Sequence, residues 1–177
     1  MEAIANEAER YPIGRFVRPA DYSAAAVSAA VASIEGLPRK LLANVSNLDP
    51  ADWGRQYRPG SWTVRQLVHH IVDANLNNYT RFKFALTEDN PVIKPYQEDL
   101  WADLEDARAG DMRPALDLLS ALHTRWVQAM RVMDGHQWER AFFHPDQNRN
   151  VPLYEAASLY SWHGEHHLGQ IRRALGR

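Results

Sequence analysis

His163 and His167 stand four residues apart in the run Trp162-His163-Gly164-Glu165-His166-His167. The stretch has a helical pattern, and a helix places such residues on one face, one turn above the other. Two neutral imidazoles in that relation can grip one transition metal. A stable site needs a third ligand from elsewhere. The other dense histidine cluster is His69-His70, inside a second helical pattern far upstream. These residue types and spacings predict a three-histidine metal site bridging two helices.

A pair of histidines four apart also arises by chance, so its position on the helix matters more than its spacing. The buried stripe of this last helix is marked by Leu153, Ala157, Tyr160, His167 and Ile171. His167 falls near its centre, His163 about 60° to one side, and His166 roughly 120° away, toward solvent or an edge. A histidine in a buried stripe needs partners for its nitrogens, either a metal or a buried hydrogen bond. Gly164 and Gly169 lie beside the pair, and each costs a helix about 1 kcal/mol relative to alanine. A neighbouring helix or a ligand is therefore expected to approach closely. On the second helix, His69 and His70 flank opposite edges of a broad apolar stripe, and periodicity does not choose between them.

Four stretches carry the 3.6-residue apolar period. The first is capped by Asp21 and continues through Val27, Val31 and Ile34. Gly36 and Pro38 interrupt it, and Leu37, Leu41, Leu42 and Val45 resume it. One long helix is expected, bent or broken near Gly36, with Pro38 in the first turn of the second piece. The second stretch is capped by Ser61, runs from Val64 to Leu86, and ends at Asn90-Pro91. The third opens near Pro114, carries Leu118, Leu119, Leu122, Trp126, Met130 and Met133, and closes at Asp134-Gly135. The fourth runs from about Pro152 to Ala174, with Gly176 as its stop.

Between the helices, 47–60 reads as a connector and 92–111 as a long connection with a short helical turn around Leu100-Trp101. Residues 142–151 read as a small hairpin or an irregular loop. Residues 1–20 contain Tyr11-Pro12-Ile13-Gly14 and Arg18-Pro19, which favour an extended or turning arm. The expected architecture is an all-α four-helix bundle with long connections, a single domain over 1–177. Bundles build metal sites from side chains on facing helices.

Composition narrows the chemistry. The 177 residues are 45% hydrophobic and 24% charged, with a net charge of −2. That balance offers no electrostatic footprint for nucleic acid or an anionic membrane. No apolar run approaches the roughly 20 residues of a membrane span, and 1–11 lacks the pattern of a signal peptide. A cytoplasmic location is expected. Cysteine is absent, so any metal must use nitrogen and oxygen ligands. Glu165 follows His163 by two residues, unlike the glutamate of a His-Glu-x-x-His protease. The bundle helices carry no Glu-x-x-His pairs for a di-iron centre.

The run Gly60-Ser61-Trp62-Thr63-Val64-Arg65-Gln66-Leu67-Val68-His69-His70-Ile71-Val72-Asp73, continuing through Asn78-Tyr79-Thr80-Arg81-Phe82-Lys83, resembles the second helix of the DinB/YfiT-like superfamily. Tyr11-Pro12-Ile13-Gly14, Phe143-His144-Pro145-Asp146 and Trp162-His163-Gly164-Glu165-His166-His167 also match its YfiT branch. The resemblance spans nearly the whole chain. It implies a four-helix bundle, a homodimer, and one divalent metal per chain on His70, His163 and His167. His69, His166 and His144 are then neighbours of the site at most. The activity implied is that of a metal-dependent hydrolase. Other branches of the superfamily are thiol S-transferases and thiol-dependent isomerases.

Three histidines leave a tetrahedral metal one open position. Water there ionises near neutral pH, which supports hydrolysis. A low-molecular-weight thiol in the same position would support S-transfer to an electrophilic small molecule. Zinc is the first expectation, with nickel, manganese or iron also suited to imidazole. Asp73 and Gln170 are candidates for hydrogen bonds to ligand histidines. Arg81 is a candidate for binding an anionic substrate. No catalytic residue beyond the ligands is assigned. The readings from other classes are a non-catalytic metal-binding bundle and a helical interaction module with structural histidines.

Overall fold

The computed structural model describes residues 7–177, so the part of the expected arm before residue 7 lies outside the described residues. Four long helices dominate: α1 (Ala24–Val45), α2 (Val64–Thr87), α3 (Met112–Arg131) and α4 (Leu153–Ala174). Short helical segments and one hairpin fill the connections. The hairpin pairs β1 (Ala141–His144) with β2 (Arg149–Pro152) in antiparallel register, Phe142 opposite Val151. Of the two expectations for this segment, the hairpin forms. The 92–111 connection holds two short helices, Glu98–Ala102 and Glu105–Ala109. Among the described residues, no helix is long and apolar enough to cross a membrane.

The helix starts differ from expectation by one or two residues. Ser23, not Asp21, caps α1, its hydroxyl accepting from Ala26 N. Thr63, not Ser61, caps α2, because Gln66 at the third helical position closes a reciprocal capping box. Asp111 caps α3, so Pro114 lies inside its first turn. Asp134 does not end α3 but caps the next short segment in a second capping box.

Helix α1 is not broken at Gly36, and Pro38 lies within it. A proline there leaves the carbonyl four residues earlier without its helical donor. That carbonyl belongs to Ile34, and His123 Nδ1 on α3 donates to it at 2.6 Å. A side chain from the neighbouring helix thus replaces the missing N–H.

The helices surround two apolar clusters. One gathers Ile34, Phe82, Trp126, Trp138, Phe142 and Tyr160. The other gathers Leu37, Leu41, Leu67, Ile71, Leu119 and Leu168. The order of these residues along each helix sets the directions: α2 and α3 run one way, α1 and α4 the other. Helix α1 packs on α3 and α4, and α2 packs on the same two. Consecutive α1 and α2 are therefore diagonal, and parallel α2 and α3 are adjacent. Parallel neighbours need a crossover, which is why the connection between them is long.

Candidate metal centre

His70 from α2 meets His163 and His167 from α4 at the boundary between the two apolar clusters. His163 Nε2 lies 3.2 Å from His70 Nε2 and 3.1 Å from His167 Nε2. One nitrogen from each ring falls within 4.8 Å of the others. His70 and His167 are buried, and His163 is partly open to an adjoining cavity. Burial first, then the neighbouring imidazoles, holds all three well below the ordinary histidine pKa. They are neutral at pH 7 and offer lone pairs.

The polar network behind the cluster fixes which nitrogen of His167 is free. Gln170 donates from its amide nitrogen to the Arg10 carbonyl at 2.9 Å and to His166 Nε2 at 3.0 Å. Its Oε1 must then be the acceptor, and His167 Nδ1–H donates to it at 2.8 Å. The proton on Nδ1 leaves Nε2 as a lone pair aimed at the other two rings. His163 Nε2 faces both neighbours while its Nδ1 is buried without a partner. Three convergent neutral nitrogens, with no thiolate or carboxylate, suit a borderline divalent metal. Trp62 covers the set, its ring 4.5 Å from His70 and 6.3 Å from His167. Periodicity could not find Trp62, because it precedes α2 and reaches the site through the turn at Gly60.

Other candidates fall elsewhere. His69 faces a separate groove with Asp73, Asp106 and Asp111. Asp73 does not turn toward His70; burial and nearby Asp106 raise its pKa to about 6 in that groove. Glu165 pairs with Lys40 on α1. His166 is a correction: expected toward solvent or an edge, it is 6% exposed. It stacks on Trp162 with centroids 4.6 Å apart, and Tyr11 of the N-terminal arm lies 5.6 Å away. The arm covers a face that the helix pattern alone leaves open. Both glycines answer to packing. A Cβ on Gly164 would meet Leu37 Cδ2 at 2.7 Å, and one on Gly169 would meet Pro12 Cγ at 2.8 Å.

A cavity of about 620 Å³ opens beside His163, lined also by Tyr160, Tyr96, Arg81 and His144. The Tyr160 ring lies 5.5 Å from that of His163. The hairpin brings in His144, and the 92–111 connection brings in Tyr96. Strand β1 is held in place by Phe143, whose N–H donates to Pro91 O and whose carbonyl accepts from Ile93 N.

Residues 33–171 match the family described as the DinB superfamily. The chain belongs to the DinB superfamily. Within it, a Geobacillus thermodenitrificans protein named "Putative metal-dependent hydrolase" is 43% identical over 162 residues, 92% of this chain and 91% of that protein. A Bacillus cereus protein of the same description is 42% identical over 92% of each chain. YfiT from Bacillus subtilis, described as "a probable metal-dependent hydrolase with an unusual four-helix bundle topology", superposes with a TM-score of 0.91. It is 37% identical and the match covers 96% of this chain and 98% of YfiT. A mycothiol-dependent maleylpyruvate isomerase shares the fold, with a TM-score of 0.62 at 18% identity over 82% of this chain and 60% of the isomerase.

Proposed function

We propose that this chain is a hydrolase of small molecules that uses one divalent metal held by His70, His163 and His167. The observation that carries the reading is the convergence of three Nε2 atoms beside an open cavity. The names of its relatives support the same reaction class. Zinc is the first metal of this reading, with nickel, manganese and iron behind it. When bound, such a metal acts as a Lewis acid that brings water to ionisation near neutral pH.

The chain's own residues supply position and exclusion. Gln170 holds the His167 tautomer and is itself held by the Arg10 carbonyl. Trp62 closes one side of the histidines, so a substrate approaches through the cavity on the His163 side. Tyr160, whose pKa burial raises, keeps its proton at neutral pH, and its ring packs beside that of His163. The assembly in this reading is a homodimer, checked by light scattering of the purified protein.

Elemental analysis of untagged parent beside a His70→Ala, His163→Ala variant tests the centre. About one metal per chain in the parent and none in the variant is expected. An ester and amide panel should then show turnover that chelation removes and metal restores. A parent that binds no metal after dialysis against zinc and nickel would sink the proposal. Turnover only with thiols and electrophiles would replace hydrolysis by S-transfer.

A further inference from the structure

The cavity beside the histidines contains a cation that the metal reading leaves unused. Arg81 is half-buried on α2 and lines the cavity together with His163, Tyr160, Tyr96 and His144. It follows His70 by three helical turns, roughly 16 Å along the axis. Side chains on a helix lean toward its N-terminus, which is the histidine end of α2. Its charge bears on Tyr96, Tyr160 and His144, which line the same cavity.

Nearby arginines are tied into the fold. Arg140 donates to the carbonyls of Ala85 and Glu88, and Arg149 pairs with Glu155. Arg81 has no ion pair among the described residues. A half-buried guanidinium without a counter-ion loses hydration and regains nothing for it. His144 lines the same cavity. The acids that line the cavity, Glu98, Asp99 and Asp146, are exposed, and none pairs with Arg81. Glu98 and Arg81 both bear on Tyr96 and Tyr160, so the cavity carries charge of both signs, with Arg81 its unpaired cation.

We propose that the cavity seats a small molecule ending in a single oxyanion, a carboxylate or a phosphate ester, with Arg81 gripping that group. The planar fork of an arginine matches either oxyanion with two parallel hydrogen bonds. Glu98, Asp99 and Asp146 in the same lining disfavour a second negative group on the molecule. What happens to the molecule at the His163 end rests on the hydrolase reading; the grip on the oxyanion does not.

Protein-detected NMR titrations with butyrate, propyl phosphate and the neutral isostere butyramide test this on zinc-loaded and metal-free protein alike. At least one of the two anions should saturate in both forms, with butyramide about tenfold weaker or more. Arg81→Gln should abolish the preference for the anion, and Arg81→Lys should keep part of it, since charge remains without the fork. Equal responses to butyrate and butyramide, no saturation with either anion, or an unchanged preference in Arg81→Gln would overturn the proposal. Metal content measured on the same samples separates the two readings. An anion preference in a chain that holds no metal keeps the oxyanion seat and removes the hydrolase; bound metal without the preference does the reverse.

Discussion

Replacing Gln170 by methionine keeps the length of the side chain and removes every polar atom that organises the rear of the histidine cluster. In the parent, Gln170 Oε1 accepts from His167 Nδ1–H at 2.8 Å, and the amide nitrogen is anchored on the Arg10 carbonyl and His166. With a cation on Nε2, the Nδ1–H becomes a charge-assisted donor, and such a bond is worth roughly 1.5–3 kcal/mol. At about 1.4 kcal/mol per decade, its loss weakens metal binding roughly 10- to 100-fold. Competition against a chromophoric chelator reads the dissociation constant directly, and melting of the metal-free protein separates affinity from folding. The stoichiometry should be unchanged. Gln170→Glu should recover most of the affinity, because a carboxylate still accepts the His167 proton. A Gln170→Met affinity within about twofold of the parent would refute the claim that Gln170 sets the tautomer.

Further outcomes follow from the packing around the site. His123→Leu removes the donor to the buried Ile34 carbonyl and should cost about 1–3 kcal/mol by urea denaturation at pH 7. In a Pro38→Ala background the backbone N–H returns, so the same substitution should cost less; effects additive within about 0.5 kcal/mol would show that the carbonyl is not shared. Burial lowers His123 from 6.5 to about 4, so the unfolded chain takes up this proton at higher pH than the folded protein. Its stabilising contribution is complete above pH 6.5 and disappears as pH falls toward 4, at most about 3 kcal/mol. The stability difference between parent and His123→Leu should narrow across that window, and a pH-independent difference would contradict the assignment. Gly164→Ala gains about 1 kcal/mol of helix propensity but drives its Cβ to 2.7 Å from Leu37 Cδ2, an overlap that costs about 1–3 kcal/mol. A net loss relieved by Leu37→Ala is expected in thermal melts; a variant as stable as the parent would show that Leu37 moves aside freely.

The four helices are legible in the chain because apolar period, capping residues and turn residues are local signals; the same signals leave 142–151 open between a hairpin and an irregular loop. The four-apart spacing and stripe position of His163 and His167 are local in the same way. Resemblance to the family, rather than periodicity, separates His70 from His69; the structure separates them because α2 turns His70 toward α4 and His69 toward the groove between Asp106 and the start of α3. Burial of His166 was invisible because its cover, the Tyr11 arm, comes from the other end of the chain. The same holds for the Arg10–Gln170–His167 relay, the exchange between Pro38 and His123, and the cavity joining Arg81 to His163. A side-chain pattern states which way a residue points from its own helix axis. What it meets there depends on how distant elements cross, and only the tertiary structure decides that.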